Sequence, residues 1–189
     1  MQREVILTGI GGQGVQLAAK TLAMAATAEG RQVLMSSHYG GEMRGGQTEA
    51  SVVVADRDLR SVPILERAWS AFVMHGHYWQ GVASRLRPGA IAVVNTNAAS
   101  EVAYEGGPLV AVPAGEIAAA IGAPMAAGFV LLGAYASATG IVGEEALVDA
   151  MRDLVPPYRT QHIAANEAAI RAGAASVTVM QPAWDKVTA

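Results

Sequence analysis

The chain has 189 residues, of which 52% are hydrophobic and 15% are charged, and this balance favours one globular domain with a substantial core. A formal net charge of −3 and an isoelectric point of about 5.8 leave no broad basic face, so we do not expect nucleic-acid binding. Because cysteine is absent, the chain can form no disulfide and cannot by itself hold a thiolate-ligated zinc or iron–sulfur cluster.

Short apolar runs alternate with helical patterns along the chain. Strands are predicted, in chain order, at residues 4–10, 32–36, 49–55, 70–74, 90–95 and 109–112. Helices are predicted at residues 15–29, 115–121, 125–139, 144–154 and 158–175. The alternation predicts a Rossmann-like α/β domain, doubly wound, with a mainly parallel sheet and helices on both faces. We assign residues 1–175 to this single domain and residues 176–189 to a C-terminal arm.

One uncharged segment, residues 117–143, is long enough to span a membrane, which requires about 20 predominantly apolar residues. Gly122 and Pro124 interrupt it, however, and the residues after Pro124 are mostly Ala, Gly, Ser and Thr without basic flanks. We therefore expect a buried helix here and no membrane span. The first apolar run is too short for the core of a secretory signal, so a cytoplasmic location is expected.

A glycine-rich loop follows the first predicted strand. Gly9, Gly11 and Gly14 have the G-x-G-x-x-G spacing between a strand and a helix that is typical of dinucleotide-binding folds. The loop would bring backbone N–H groups to a helix N-terminus, where an anion is stabilised. The second strand, however, ends in Ser, Ser and His, with no acidic residue for a ribose and no arginine for a 2′-phosphate. Two interpretations stay open: bound NAD or FAD, or a turn that serves packing or a protein contact.

A second glycine-rich loop, residues 39–47, reads YGGEMRGGQ and directly follows the second predicted strand. Arg44 is suited to bidentate pairing with a carboxylate or a phosphate, and Glu42 to orienting or neutralising it. Alternatively, Glu42 and Arg44 form an internal pair that braces the turn. Their clustering opposite the first loop favours a functional surface.

Both glycine motifs belong to a longer pattern. GIGGQGVQLAAKTLAMAA, followed by YGGEMRGGQTEASVVV, has the order of a strand, G-x-G-G-Q-G, a helix and Y-G-x-E-x-R-G-G. The pattern continues through LRPGAIAVVN, VPAGEIAAAIG and LLGAYASATGIVGEEALVDAM. In these motifs the chain resembles the gamma subunit of the 2-oxoacid:ferredoxin oxidoreductases, which oxidise pyruvate, 2-oxoglutarate, branched-chain 2-oxoacids or indolepyruvate. The alternative is a freestanding NAD(P)- or flavin-binding α/β oxidoreductase.

The resemblance implies a subunit of an enzyme complex rather than a complete enzyme. Complexes of this family use thiamine diphosphate and Mg²⁺ to decarboxylate the 2-oxoacid, pass electrons through [4Fe–4S] clusters to ferredoxin, and release acyl-CoA. These cofactors are implied to lie on alpha and beta subunits and on a ferredoxin-like delta subunit or domain, in agreement with the absence of cysteine here. The gamma subunit is implied to close over the coenzyme A side of the active site.

The resemblance also implies that both glycine loops face the partner subunits and the active-site cleft. Arg44 is the residue chosen to contact an anion, either a coenzyme A phosphate or a carboxylate of a partner subunit. No catalytic residue and no cofactor of its own are assigned to the chain. Gly128 stands where relatives carry an asparagine, so two alternatives stay open: the complex uses an unusual acyl acceptor, or a neighbouring group such as Asn95 or Asn97 supplies the coenzyme A contact. The candidate binding residues are Gly9, Gly11, Gly12, Gln13, Gly14, Tyr39, Gly40, Glu42, Arg44, Gly45 and Gly46.

Three histidines are further candidate site residues. His75 and His77 are two residues apart at the end of a predicted strand, a spacing that puts both rings on one face as metal ligands. No third ligand lies near them in the sequence, so we expect polar surface residues and no metal site. His162 is expected at the surface or at an interface. No Ser, His and Asp spacing identifies a hydrolase.

Overall fold

The computed structural model describes residues 1–39, 45–59 and 65–184. Its strands are β1 (Gln2–Ile10), β2 (Gln32–Tyr39), β3 (Gln47–Ala55), β4 (Ala68–Val73), β5 (Leu86–Asn95) and β6 (Leu109–Val112). Its α-helices are α1 (Val15–Ala28), α2 (Trp79–Ala83), α3 (Thr96–Ala99), α4 (Ala114–Ala120), α5 (Ala127–Thr139), α6 (Glu144–Leu154) and α7 (Ile163–Ala175). Short 3₁₀ helices lie at Gly76–Tyr78, Pro124–Ala126 and Pro157–His162.

The strands form one six-stranded sheet in the order β2-β3-β1-β4-β5-β6. The pairs β1–β4, β4–β5 and β5–β6 are parallel. β3 is antiparallel to both of its neighbours, β1 and β2, so these two strands run in the same direction. The predicted mainly parallel α/β sheet is therefore confirmed. After β1 the chain continues to the strands at one edge of the sheet, and after β4 it continues to the strands at the other edge. At such a switch point between neighbouring strands, α/β sheets bind ligands beyond the carboxyl ends of the strands.

Helices cover both faces of the sheet, as predicted. The face that carries α1, α5, α6 and α7 holds the larger apolar core, which includes Leu7, Leu22 and Phe72. Tyr135 lies fully buried in this core, where its hydroxyl bonds the Ser70 hydroxyl at 2.6 Å and its ring meets Phe72 edge-on. Burial raises the pKa of the Tyr135 hydroxyl, so that group stays neutral. The opposite face packs under α2 and α3 through side chains such as Trp79.

The uncharged segment forms the buried helix that the sequence predicts. Side chains around the whole circumference of α5 are buried, from Phe129 to Thr139. α7 crosses it so closely that a Cβ at Gly133 would lie 2.0 Å from the Ile170 oxygen, and a Cβ at Gly173 would lie 1.9 Å from the Val130 oxygen. Both glycines are therefore required by the backbone contact between the two helices. In the described ranges no helix is long and apolar enough to cross a membrane.

Several local features differ from the prediction, among them the start of β5, which begins at Leu86 and not at residue 90. Residues 158–162, predicted as the start of a long helix, belong instead to the 3₁₀ helix Pro157–His162, a geometry common at helix N-termini. The short helices α2 and α3 were not predicted. β2 continues to Tyr39, three residues beyond the predicted end, because it pairs with β3 as far as Thr48.

The last described residues run back over the domain. The Met180 and Gln181 N–H groups both donate to the Ala138 carbonyl at the end of α5, at 2.8 and 3.0 Å. The indole of Trp184 donates to the Ile141 carbonyl at 3.0 Å, and the Arg31 guanidinium lies 4.0 Å from its ring centre. The division between domain and arm at residue 175 stays a prediction.

Candidate functional site

A groove of about 900 Å³ opens at the carboxyl ends of β1, β4 and β5. Its floor comprises the loop before α1, Met74 and Asn95 at the ends of β4 and β5, and the first turn of α5. One wall is the 3₁₀ helix Pro124–Ala126, and the other runs from Leu154 to Asn166. We call this cavity the strand-end groove. It lies where the topology of the sheet predicts a ligand site.

The conformation of the first glycine loop is stabilised by hydrogen bonds within the loop. Gly12 and Gly14 have φ angles of 96° and 77°, in the left-handed region that favours glycine. The Ile10 N–H donates to Gln13 Oε1 at 3.0 Å, and the Gln13 N–H donates back to the Ile10 carbonyl at 3.2 Å. A Cβ at Gly9 would lie 2.8 Å from Gln13 Oε1. The Gln13 side chain therefore braces the turn and leaves the loop backbone to line the groove.

The two glycine loops meet through their backbones. The Gly11 N–H donates to the Gly46 carbonyl at 2.9 Å, and a Cβ on Gly11 would lie 3.4 Å from the Gly45 nitrogen. Tyr39 ends β2, and only its backbone is described. Three further candidate residues lie outside the described residues: Gly40, Glu42 and Arg44.

Of the candidate residues from the sequence, the structure places Gly12, Gln13 and Gly14 on the strand-end groove. Gly45 and Gly46 contact the backbone of Gly11 and do not line the groove. A binding role for each of these residues stays a prediction.

The two asparagines considered as ligand contacts differ in position. Asn95 lines the groove with 4% of its surface exposed, and its amide donates to the Met74 carbonyl at 3.3 Å. Asn97 caps α4 instead: its Oδ1 accepts from the Gly115 N–H at 2.8 Å, and its Nδ2 donates to Glu116 Oε1 at 2.9 Å. Asn95 also caps a helix, since its Oδ1 accepts from the Asn97 N–H at 3.4 Å at the start of α3. Of the two asparagines, Asn95 is the one that lines the groove.

Gly128 lies in the first turn of α5 and lines the groove. A Cβ there would lie 3.1 Å from the Gln13 carbonyl oxygen, so this position touches the glycine loop directly. Both α1 and α5 begin at the groove without a capping side chain and without an acidic residue in the first turn. Their first N–H groups therefore favour a negatively charged ligand in this region.

The far wall adds polar side chains that sequence reasoning missed as a group. Arg159, His162 and Asn166 line the groove from the 3₁₀ helix Pro157–His162 and from α7. None of the described residues that line the groove is an aspartate or a glutamate. Only the spacing of Arg159 and His162 in the sequence could have indicated a shared surface. Their relation to the glycine loop arises only in the fold.

Two carboxylates with shifted pKa values lie away from the groove, on α6 and α7. Hydrogen bonding to the Arg171 guanidinium lowers the pKa of the Glu145 carboxyl. Hydrogen bonds from Arg152 and Arg171 likewise lower the pKa of Glu167. Glu145 is exposed and Glu167 is half-buried, and both belong to an ion-pair network at the surface, which explains the shifts as surface electrostatics and not as tuning of an acid or base for catalysis.

The histidines at the end of β4 occupy a turn. His75 Nδ1 accepts a hydrogen bond of 3.1 Å from the His77 N–H and so caps the 3₁₀ helix Gly76–Tyr78. The His77 ring stacks edge-on with Tyr78, with centroids 4.7 Å apart. Within the described residues, no group of three or more His, Asp or Glu side chains is placed to hold a metal. His162 is exposed, at the groove.

Comparison with protein families identifies the chain. Residues 4–176 match the family model described as pyruvate ferredoxin/flavodoxin oxidoreductase. The chain belongs to this family. It is 30% identical over 169 residues to the 2-oxoglutarate synthase subunit KorC of Methanothermobacter thermautotrophicus, covering 83% of this chain and 87% of the relative. It is 32% identical to the common gamma subunit of the pyruvate/ketoisovalerate oxidoreductases of Thermococcus kodakarensis, covering 79% and 85%.

Solved structures give the same result. The gamma subunit of a keto/oxoacid ferredoxin oxidoreductase from Geobacter sulfurreducens superimposes with a TM-score of 0.77 at 25% identity, covering 90% of this chain and 95% of that one. The pyruvate oxidoreductase subunit PORC of Thermotoga maritima gives 0.75 at 26% identity, covering 91% and 94%. A 2-oxoglutarate:ferredoxin oxidoreductase from Magnetococcus marinus, solved with 2-oxoglutarate, coenzyme A and succinyl-CoA bound, shares the fold at 18% identity. Its TM-score is 0.82, over 95% of this chain and 32% of that one.

These comparisons confirm the predicted resemblance to the gamma subunit of the 2-oxoacid:ferredoxin oxidoreductases. The chain is thus a subunit of an oxidoreductase. The freestanding NAD(P)- or flavin-binding enzyme is not favoured, because the relatives named as subunits align along most of their own length.

Proposed function

We propose that the chain serves a thiamine diphosphate-dependent complex, which oxidatively decarboxylates a 2-oxoacid to acyl-CoA and reduces ferredoxin in the cytoplasm. In this proposal alpha and beta subunits bind thiamine diphosphate and Mg²⁺, and a ferredoxin-like delta subunit or domain holds the [4Fe–4S] clusters. The absence of cysteine supports that division, since a chain without thiolates depends on another subunit for such clusters. Thiamine diphosphate supplies the carbanion chemistry of the decarboxylation when bound to those partners.

The role of this chain is to close the coenzyme A side of the active site. The observation that carries the proposal is the strand-end groove, whose volume of about 900 Å³ lies within the range of small-molecule sites. Coenzyme A is elongated, with phosphates at one end and a thiol-bearing arm at the other. The groove offers both environments: the carboxylate-free wall of Arg159 and His162, and apolar contacts from Leu17, Met74 and Phe129.

The rim of the groove suits contact with a partner subunit. Met125 is 94% exposed and Leu17 is 41% exposed, and both line the groove. Large apolar side chains exposed beside a cavity are typical of a protein contact surface. Docking of a partner against this rim would cover the ligand and exclude water from the reacting thiol. The chain's own residues therefore bind and orient the acyl acceptor, and the reacting groups come from the partner.

The test is to fill the groove in the assembled complex. In Gly128→Phe the new ring must enter the space beside Gln13. In Leu17→Trp a larger side chain replaces the partly exposed Leu17 that also lines the groove. Both variants are expected to raise the KM for coenzyme A at least tenfold and to leave the KM for the 2-oxoacid unchanged. Steady-state ferredoxin reduction measures both constants.

Gly81→Ala is the matched control, because the space around Gly81 is open and the position lies on α2, away from the groove. Copurification of the partner subunits shows that each variant still assembles. An unchanged KM for coenzyme A in assembled complexes of both groove variants would refute the proposed role. Arg44, proposed from its motif alone, has a parallel test: Arg44→Ala is expected to impair acyl-acceptor affinity more than it impairs folding.

A further inference from the structure

We propose that Arg159 and His162 form a phosphate-binding end of the strand-end groove, by which this chain selects a nucleotide-bearing thiol over a bare pantetheine thiol. The inference rests on the proposed function and adds to it which part of the acceptor is recognised here, and by which side chains. Neither residue belongs to the glycine motifs that define the family resemblance.

The first argument is the geometry of the wall. Arg159 and His162 are three residues apart within the 3₁₀ helix Pro157–His162. A 3₁₀ helix has three residues per turn, so side chains at this spacing lie one above the other on the same edge. Both residues line the groove. An Arg and a His are thus presented side by side to one ligand. A regular α-helix would rotate them apart by about 60°.

The second argument is the charge around these side chains. Several arginines of the described residues form ion pairs with carboxylates. These pairs are Arg85 with Glu49, Arg152 with Glu167, and Arg171 with Glu144 and Glu145. Arg159 differs, because no carboxylate of the described residues lies within ion-pair distance of it and its guanidinium lies beside the Tyr158 ring. The described lining of the groove also carries no carboxylate.

This arrangement has a chemical consequence. In a chain with a net charge of −3, a groove with an arginine, a histidine and no carboxylate in its described lining favours an anion. The planar guanidinium with several N–H donors matches a phosphate, with which it can form two parallel hydrogen bonds.

The third argument is the chemistry of the rest of the groove. Leu17, Met74 and Phe129 provide apolar surface, and the backbone of the glycine loop provides N–H groups. A ligand that fills the cavity therefore combines an anionic end at Arg159 with a long, mostly uncharged arm. Inorganic phosphate has only the first part, and pantetheine only the second. Coenzyme A and dephospho-CoA have both, and they differ in the 3′-phosphate.

The experiment measures equilibrium binding of these four probes to the assembled complex by titration calorimetry. Arg159→Ala is expected to weaken coenzyme A binding about tenfold, the loss typical of one charge-assisted hydrogen bond, and to leave pantetheine binding unchanged. His162→Ala is expected to weaken coenzyme A binding by a smaller factor. Arg159→Lys is expected to fall between wild type and Arg159→Ala, because it keeps the charge and loses the planar fork.

Arg57→Ala is the matched control. Arg57 is an exposed arginine just beyond β3, at the end of the sheet opposite the groove, and its removal is expected to leave all four affinities unchanged. If Arg159→Ala weakens the binding of coenzyme A but not that of dephospho-CoA, the arginine contacts the 3′-phosphate. If Arg159→Ala weakens the binding of both ligands equally, the arginine contacts the pyrophosphate. Inorganic phosphate is expected to compete with coenzyme A for the wild-type complex and not for the Arg159→Ala complex.

Two results would overturn the inference: an Arg159→Ala complex that binds coenzyme A like wild type, or one that loses affinity equally for coenzyme A and pantetheine. Either result is compatible with groove-filling variants that still raise the KM for coenzyme A, in which case only the phosphate assignment fails. If the groove-filling variants have no effect, the proposed function fails as well. The two failures are therefore distinguishable.

Discussion

The close crossing of α5 and α7 depends on Gly173. The variant Gly173→Ala tests how much stability is lost when a side chain is added at this contact. The added Cβ would lie 1.9 Å from the Val130 carbonyl oxygen, whereas an ordinary contact is about 3.4 Å, so the helices must separate by about 1.5 Å. No rotamer can relieve this overlap, because both partners are fixed by the backbone. The separation would also weaken the contacts of buried side chains such as Ile170.

The magnitude comes from two opposing effects. Overpacking a core typically costs about 1–3 kcal/mol, and the backbone overlap here puts Gly173→Ala at or above the upper end of that range. Alanine in place of a helical glycine gives back about 1 kcal/mol. We expect a net loss of about 2 kcal/mol in the free energy of unfolding. For a chain of this length, that loss lowers the midpoint of thermal unfolding by about 4–8 °C.

The assay is thermal and denaturant unfolding of the purified protein, followed by circular dichroism. Gly81→Ala provides the comparison, because a Cβ at that helical position meets no atom within 4 Å. That variant is expected to be as stable as wild type, or more stable by up to about 1 kcal/mol. If Gly173→Ala were equally stable, the close contact between α5 and α7 would not determine the stability of the fold.

Two further predictions concern hydrogen bonds and ion pairs. Tyr135→Phe leaves the buried Ser70 hydroxyl without its partner and is expected to lower the free energy of unfolding by about 1–2 kcal/mol, and adding Ser70→Ala should recover part of that loss. Urea titration checks this, and a double variant less stable than Tyr135→Phe would contradict it. Arg152 and Arg171 lower the pKa of Glu167 below its ordinary value of 4.5, so its stabilising effect is present above that pH and is lost as the pH falls through the lowered pKa. Glu167→Gln is therefore expected to be less stable than wild type near neutral pH and to approach it in acid. If the difference in free energy of unfolding between wild type and Glu167→Gln were the same at every pH, this role of Glu167 would be excluded.

Much of the architecture could be predicted from local sequence signals. Apolar runs that end in glycines predicted β1 and the loop after it, because strand ends and tight turns have distinctive residue preferences. The uncharged segment was assigned to a buried helix from its interrupting Gly122 and Pro124, and these residues precede α5 as expected. A strand pattern carries no information on direction, however, so the antiparallel orientation of β3 was not predicted. α2 and α3 have five and four residues, too few to show a period.

The candidate site was predictable only in part, for a different reason. The glycine motif predicted the loop that forms part of the groove floor, since its spacing is a local property. The opposite wall comes from residues near Arg159, more than a hundred positions later in the chain, and its orientation depends on the packing of α7 against α5. Only the folded topology brings these segments together. Likewise, Asn95 and Asn97 look equivalent in the sequence, and only the position of α4 shows that Asn97 is a cap.

The two sides of the strand-end groove differ in how firmly they are held. The floor includes strand ends and the first turn of α5, a helix most of whose side chains are buried in the larger core. The 3₁₀ helix Pro157–His162 has no buried residue. Amide hydrogens of α5 are therefore expected to exchange with solvent more slowly than those of the 3₁₀ helix Pro157–His162, which can open locally. Displacement of this short segment would therefore cost less folding free energy than a movement of α5.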